Sequence, residues 1–257
     1  MATISVITPS WNPVPEQLEA AYESVASQVL PDGWSLEWVV QEDGTEGRRA
    51  GDILPADPVI RLGSGRWGGL PLSRNLALAR STGAVVKNLD ADDILTPGVL
   101  ARDIAALTSN EDVHWVTSRA LDLLPDGSTV GFDTDPLAGR IEPGELVKYW
   151  RDHNYRLPMH PTTICIRRSL AVALGGWMGV PGSDDTGLLI AASIVSVGYF
   201  SDDVGLLYRK WPGQATASAQ HTEPTELNMR RKLISDRADA LTALRWSAGL
   251  AEPAAEH

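Results

Sequence analysis

Two aspartates separated by one residue form the clearest chemical motif in this sequence. Asp90-Ala91-Asp92 follows the apolar run Ala84 to Leu89, which is typical of a buried β-strand. Carboxylates at this spacing can converge on one hard cation, and Mg²⁺ or Mn²⁺ prefers such oxygen ligands. The alternative is that Asp92 or Asp93 caps the helix predicted from Pro97 onward, so the motif alone does not establish a metal site.

Asp43 and Arg74 are two further polar candidates. Asp43 ends the second predicted strand, where a carboxylate can accept a hydrogen bond from a nucleobase N–H, although an Asx turn with Gly44 is the alternative. Arg74 lies in the first turn of a predicted helix, after the glycine-rich segment 63–69. Its fixed charge suits a pyrophosphate or a base, and a solvated helix face is the alternative.

The pair Asp184-Asp185 begins an apolar helix after Gly182-Ser183. Acidic residues at this position stabilise a helix through its dipole. A carboxylate beside a crevice can instead remove a proton from a reacting group as a general base. Both interpretations remain open on this segment alone.

The elements that must position these groups alternate in type over the first hundred residues. Strands are predicted over 3–8, 36–41, 58–62 and 84–89, with helices beginning at Pro15 and Pro71. This alternation predicts an open, mostly parallel α/β sheet with helices on both faces. Ligands of such sheets bind at the carboxyl ends of the strands, which is where Asp43 and Asp90 lie.

The second half of the chain is less regular. Helices are predicted over 97–107, 142–151, 184–197 and 226–246, strands over 113–119 and 199–209, and a hairpin turn at 125–127. The sequence has neither an internal repeat nor a long linker, which favours a single domain. Residues 251–257 are expected to fray.

Composition narrows the classes of function. The chain has 257 residues, 43% of them hydrophobic, and carries a formal net charge of −11, which argues against nucleic acid and anionic polymers as partners. The single cysteine, Cys165, lies in an apolar run and is expected to be buried and reduced. The most apolar stretch, 188–200, is shorter than the ~20 residues of a membrane span, and no basic residue precedes Arg48. We therefore expect a soluble, cytoplasmic protein without a transmembrane segment.

Four segments, in order, resemble the family 2 glycosyltransferases, which are inverting enzymes of the GT-A fold. They are Ile4 to Asn12, Glu37 to Thr45, Gly69 to Asp93, and the set formed by Gly175-Gly176-Trp177, Asp184-Asp185 and Tyr208-Arg209. Each motif is weak alone, but their common order over about residues 3–212 is specific. The resemblance implies a GT-A-type (Rossmann-like) sheet, with residues 1–93 as the nucleotide-sugar half and 94–220 as the acceptor half of one domain. Residues 221–257 then form a C-terminal helix and tail.

The resemblance also implies a reaction. A sugar would pass from a nucleoside-diphosphate sugar, with UDP favoured, to a hydroxyl or amine of a small molecule or glycan. Mn²⁺ or Mg²⁺ would be held by Asp92, with Asp90 assisting, and Asp185 would be the base beside Asp184. The nucleotide-sugar pocket is expected to involve Thr8, Pro9, Asp43, Arg74, Asp90 and Ala91. The acceptor side is expected to involve His160, Trp177, Arg209 and Trp211.

Two departures from the family pattern and two rival functions accompany this interpretation. Trp211 stands where the family often has a histidine, and Glu42-Asp43 replaces the usual acidic pair before the turn glycine. The aromatic side chains on the acceptor side could equally be core residues. A nucleotidyltransferase of related fold would release pyrophosphate, but such enzymes have a basic glycine-rich loop where Pro9 to Asn12 stand. A sugar-nucleotide-binding module would release nothing, although Asp92 and Asp185 are both present.

Overall fold

A computed structural model describes residues 1–248, within which ten strands form one mixed sheet. The strands are β1 (Ala2–Ser10), β2 (Trp34–Asp43), β3 (Ile60–Gly65), β4 (Val85–Asn88), β5 (Ile94–Leu95), β6 (Val113–Leu123), β7 (Thr129–Val130), β8 (Gly139–Ile141), β9 (Cys165–Arg167) and β10 (Val197–Arg209). The helices are α1 (Pro15–Ala26), α2 (Leu70–Arg80), α3 (Val99–Ser109), α4 (Glu145–Asp152), α5 (Arg168–Ala173), α6 (Asp184–Val195) and α7 (Pro224–Leu244).

The sheet has the order β3-β2-β1-β4-β9-β6-β10-β5. The long ladders are parallel: β1 pairs with β2 and β4, β2 pairs with β3, and β6 pairs with β10. The antiparallel ladders are short, and the most important of them is β9, which joins β4 to β6. The predicted open, mostly parallel sheet of a single domain is therefore confirmed.

Helices cover both faces of this sheet, as predicted. Along β1, Ile4 and Val6 pack into a core that contains the apolar residues of α1 and α3. Ile7 packs into a second core, built from α2 and from α4 to α7. Successive side chains of a strand point to opposite faces, so one strand supplies both cores.

A buried charged group fixes the middle of the sheet. Lys87 of β4 is fully buried, and its Nζ donates to Asp103 of α3 at 2.7 Å and to the carbonyl of Thr163 at 2.6 Å. A buried ammonium needs such partners because removing it from water is costly. The contacts tie the strand that precedes Asp90 to α3 and to the segment that carries His160.

Some boundaries differ from the expectations. The glycine-rich segment 63–69 begins as strand, because β3 extends to Gly65 in parallel pairing with β2. Cys165 is buried on β9, as expected. The expected fraying of 251–257 falls outside the described residues, and the boundaries at 93/94 and 220/221 stay predictions. Within residues 1–248, no helix is both long and apolar enough to cross a membrane.

Candidate active site

The candidate site lies where β1, β2 and β4 end. These parallel strands finish at Ser10, Asp43 and Asn88, so their carboxyl ends meet at one edge of the sheet. The turn Asp90-Ala91-Asp92 follows β4 directly, and the start of α6 reaches the same place from the second half of the chain. The structure thus brings Arg74 into contact with Asp184, which lies 110 residues later in the sequence.

Arg74 joins these groups. Its Nη1 donates to Asp184 at 2.5 Å and its Nη2 donates to Asp90 at 2.6 Å, while its side chain is only 3% exposed. Burial alone would lower the pKa of the guanidinium, but Asp184 and Asp90 raise it above its ordinary value. Arg74 is therefore a buried bridge between the aspartate turn and α6. The solvated-face alternative is wrong, and a direct approach to a base or diphosphate stays a prediction.

Asp184 and Asp185 have different surroundings. Asp184 is buried, and this burial raises its pKa to about 6, against the opposing effect of Arg74. Asp185 is partly exposed; its Oδ2 accepts from the Thr162 hydroxyl at 3.1 Å, and its Oδ1 accepts from the Thr186 N–H at 2.6 Å. Asp184 is the paired structural carboxylate, whereas Asp185 is the accessible one. Both residues lie in the first turn of α6, so a favourable interaction with the helix dipole stays open for each of them.

The aspartates after β4 carry more negative charge than their partners balance. Burial and the neighbouring Asp90 raise the pKa of Asp92, and burial with Asp92 raises the pKa of Asp93 well above its ordinary value. Asp92 Oδ2 accepts from the Trp211 indole N–H at 2.7 Å, and Asp93 Oδ1 accepts from the Arg209 backbone N–H at 2.9 Å. Helix α3 begins at Val99 after Gly98, so the alternative in which Asp92 or Asp93 caps it is wrong.

These residues suit a divalent cation shared with a ligand. One oxygen of Asp90 and one of Asp92 accept no hydrogen bond from another residue among 1–248, and the buried Asp93 Oδ2 has no partner there. The same residues contain no group of three or more His, Cys, Asp or Glu side chains arranged around one point. A magnesium ion needs only one or two carboxylates when phosphates and water complete its shell.

Asp43 lies at the same edge but is engaged by the chain itself. Its Oδ1 accepts from the Gly68 N–H at 2.7 Å, and its Oδ2 accepts from the Gly69 N–H at 2.9 Å. Gly69 has φ +85°, which favours glycine at the start of α2. Asp43 therefore holds the loop before Arg74, and the Asx-turn alternative is not what occupies its carboxylate. Oδ1 also accepts from the Gly69 N–H at 3.2 Å, so Oδ2 is the oxygen with a lone pair left for a base, and base recognition stays a prediction.

Thr8 and Pro9 line the base of this edge from β1, and both are buried. The Thr8 hydroxyl accepts from the Trp38 indole N–H at 2.8 Å. Its side chain thus packs in the core, and the expectation that Thr8 lines the nucleotide pocket stays a prediction. Only the backbone of Thr8 and Pro9 is left for a ligand. Ala91 is half-buried in the turn between the two aspartates.

The four residues expected on the acceptor side divide into two groups. Trp177 is 1% exposed and packs in the core, and its backbone exchanges two hydrogen bonds with the Asn75 amide. The expectation that it stacks on an acceptor is therefore wrong. Arg209 Nε donates to the carbonyl of Asp92 at 2.8 Å, and the His160 ring lies 4.3 Å from the ring of Tyr208. Arg209, Trp211 and His160 thus surround the aspartate turn.

Residues 5–129 match the sequence model of the family described as Glycosyl transferase family 2. The matched segment runs from β1 to β7 and includes Asp43, Arg74, Asp90 and Asp92. This part of the chain is similar in sequence to the family 2 glycosyltransferases. No curated protein sequence matches the chain significantly.

Several solved structures are similar to this chain in fold. The crystal structure of S. aureus TarS 1–349 in complex with UDP-GlcNAc is similar, with a TM-score of 0.71 and 17% identity over 95% of this chain and 71% of that chain. The complex of the same fragment with UDP has a TM-score of 0.66 and 16% identity over 95% and 70% of the two chains. The longer TarS structure has a TM-score of 0.64, and the alignment covers 43% of it. At these identities the likeness establishes the GT-A architecture.

Two contacts of the candidate site were not predicted from the sequence. Thr162 donates to Asp185, and Tyr208 packs on His160. The hydroxyl of Thr162 leaves no periodic trace in a sequence, because it acts from a turn. Tyr208 was noticed only as part of the Tyr208-Arg209 pair. The dense aromatic and histidine content of residues 149–160 was the available signal that this segment lines something.

His160 is expected to make the protein less stable in mild acid. Burial lowers the pKa of its ring to about 4, from an ordinary value near 6.5. Between these two values the unfolded chain binds a proton that the folded chain does not, so unfolding becomes easier as the pH falls. The unfolding free energy of both proteins is expected to fall from pH 7 to pH 4. The decrease should be smaller in His160→Gln than in the wild type by about 1–3 kcal/mol. Urea unfolding at a series of pH values measures this, and equal slopes for both proteins would contradict it.

Proposed function

We propose that this protein is an inverting glycosyltransferase that uses a nucleoside-diphosphate sugar, with UDP as the favoured nucleotide, and transfers the sugar to a hydroxyl or amine. The observation that carries the proposal is the Arg74 bridge. It fixes the Asp90-Ala91-Asp92 turn against the first residues of α6, so that the donor-side acids and Asp185 form one site. The family match and the TarS complexes with UDP and UDP-GlcNAc support the donor class.

Asp90 and Asp92 are proposed to hold Mn²⁺ or Mg²⁺ together with the diphosphate. When bound, the cation neutralises the charge that develops on the leaving diphosphate. Asp92 keeps one oxygen for this role while the Trp211 N–H orients the other. Trp211 stands where the family often has a histidine, so this position offers no imidazole to the metal.

Asp185 is proposed to be the general base. The acceptor oxygen or nitrogen forms a bond to the anomeric carbon, and the bond from that carbon to the diphosphate oxygen breaks with its electron pair. The acceptor proton passes to the Asp185 carboxylate as the nucleophile attacks. Thr162 and the Thr186 N–H hold this carboxylate in place. Attack from the face opposite the leaving group inverts the anomeric configuration.

Asp92→Ala tests the donor site. We expect the wild type to bind UDP about tenfold more tightly with Mn²⁺ than without it, a difference of ~1.4 kcal/mol. In Asp92→Ala this response should disappear, because the diphosphate charge is no longer offset. Isothermal titration calorimetry with UDP, GDP and dTDP measures the response and the choice of base.

Asp202→Ala is the matched control, because Asp202 is an exposed aspartate away from this turn. It should keep the full Mn²⁺ response. A normal response in Asp92→Ala would place the metal elsewhere. The released product separates the rival functions: a nucleoside diphosphate supports the transferase, pyrophosphate would indicate a nucleotidyltransferase, and no turnover with any donor would leave a binding module.

A further inference from the structure

A cavity of about 680 Å³ lies on the second half of the domain. Its walls come from α4 and from the segments around Phe132 and 153–161, and they are mainly aromatic and apolar. Trp150 forms the buried floor, with the ring of Tyr155 edge-on to it at 4.9 Å, and Tyr149 stacks on His153 at 3.7 Å. This volume is within the range of about 300–1,000 Å³ that is usual for small-molecule sites.

The cavity adjoins the proposed base. Thr186 and Pro161 both line it. Thr186 follows Asp185 in the chain and donates its N–H to that carboxylate, and Pro161 precedes Thr162, whose hydroxyl also binds Asp185. His160 lines the cavity as well and contacts Tyr208 on the side of the aspartate turn. A molecule in the cavity would therefore lie between Asp185 and the open protein surface.

The wall of the cavity is held in an uncommon conformation. Asn154 and Tyr155 have φ values of +53° and +62°. A tyrosine rarely adopts this left-handed region, and such outliers cluster at sites that clamp ligands. Here the conformation places the Tyr155 ring against Trp150 on one side, with the Arg231 guanidinium 5.3 Å from the ring centre.

The polar groups of the cavity decide which class of molecule it suits. Among residues 1–248, the lining contains no Asp, Glu, Asn or Gln side chain, and Arg156 at the exposed rim is its one full charge. A sugar or polyol buried there would exchange the water around many hydroxyls for the few hydroxyl and imidazole groups of the Thr, Tyr and His side chains, which is costly. One rim cation is also too little for a polyanion. Flat apolar rings gain both from burial and from stacking on the aromatic walls.

We propose that this cavity is the acceptor site and that it takes a planar aromatic or fused-ring alcohol, whose hydroxyl points toward Asp185. This inference rests on the proposed function. The aryl oxygen attacks the anomeric carbon, its proton passes to Asp185, and the nucleoside diphosphate leaves with the electron pair of the broken bond. The product is an aryl glycoside.

Binding of a defined probe to the full chain tests the inference. We expect 2-naphthol to bind the wild type, alone and in the presence of saturating UDP with Mn²⁺, while methyl β-glucopyranoside and ribitol 5-phosphate do not. Thr134→Trp places a bulky ring on a residue of the cavity wall and should weaken 2-naphthol binding at least tenfold, with UDP binding unchanged. Thr129→Trp adds the same ring at an exposed position outside the cavity and should change 2-naphthol binding less than twofold.

A second variant removes an aromatic ring from the cavity wall and does not fill the cavity. Tyr155→Asn introduces a residue that tolerates the positive φ of this position, so the fold should be retained. The aromatic wall is lost, so 2-naphthol binding should fall. If UDP binds but 2-naphthol does not, or if UDP displaces it, the acceptor inference is wrong and the proposed function stands. Tight binding of the glucoside or the polyol phosphate, lost in Thr134→Trp, would overturn the class of acceptor. If none of UDP, GDP and dTDP binds, the proposed function itself fails.

Discussion

Asp185→Asn is expected to lower turnover by about 10²–10⁴-fold while nucleotide binding survives. The substitution preserves the local structure unusually well. An asparagine oxygen can still accept from the Thr186 N–H, and its amide can donate to the Thr162 hydroxyl, which rotates to accept. What the asparagine cannot do is take up a proton. Steady-state kinetics and calorimetry with UDP separate the two effects.

Asp184→Asn is the internal control for this assignment, and the structure predicts a different phenotype. Asp184 is buried in an ion pair with Arg74, so its loss should reduce stability and nucleotide affinity along with the rate. Asp185→Asn should alter the rate alone. Full activity in Asp185→Asn together with an inactive but stably folded Asp184→Asn would move the base to Asp184.

Thr162→Val tests whether Thr162 orients the base, Asp185, without being the proton acceptor itself. Valine has nearly the shape of threonine but cannot donate to Asp185 Oδ2. We expect a smaller fall in rate than for Asp185→Asn, because the Thr186 N–H still holds the carboxylate. Steady-state kinetics of the two variants side by side measure this difference.

The first half of the fold could be predicted from the sequence because its signals are local. β1, β2 and β4 are β-branched or apolar runs. Pro9 lies near the end of β1, and Gly44 and the aspartate turn follow β2 and β4; the alternation of these strands with helices predicts a parallel sheet. The position of Asp43, Asp90 and Asp92 at one edge follows from that topology alone. The family resemblance added roles to positions that the topology had already grouped.

The second half could not be predicted in the same way because its contacts are long-range. β9 has only three residues, yet it joins β4 to β6 antiparallel and places the turn that carries His160. A strand so short has no readable period. Trp177 was expected on the acceptor side or in the core, and the sequence alone could not decide between them. Asn75 fixes its backbone and the core buries its ring. The link from Arg74 to Asp184 spans 110 residues and leaves no local pattern.

Arg74→Met is expected to destabilise the folded protein by about 3–5 kcal/mol. Methionine fills the same space, but it leaves Asp184 buried with no cation and leaves Asp90 beside it. The loss is large because an unpaired buried carboxylate cannot be resolvated within the fold. UDP binding should fall as well, since Asp90 loses the group that fixes it. Urea unfolding with linear extrapolation measures the stability term.

Two further proteins show whether burial is the cause. Arg151→Met breaks an exposed ion pair with Asp239 and should cost no more than about 1 kcal/mol. Arg74→Met/Asp184→Asn removes the buried charge together with its partner and should recover much of the stability lost in Arg74→Met. It should not recover UDP binding, because Asp90 still lacks Arg74. If the double variant is as unstable as Arg74→Met, the guanidinium stabilises the fold through packing, and the ion pair is not what joins the two halves of the site.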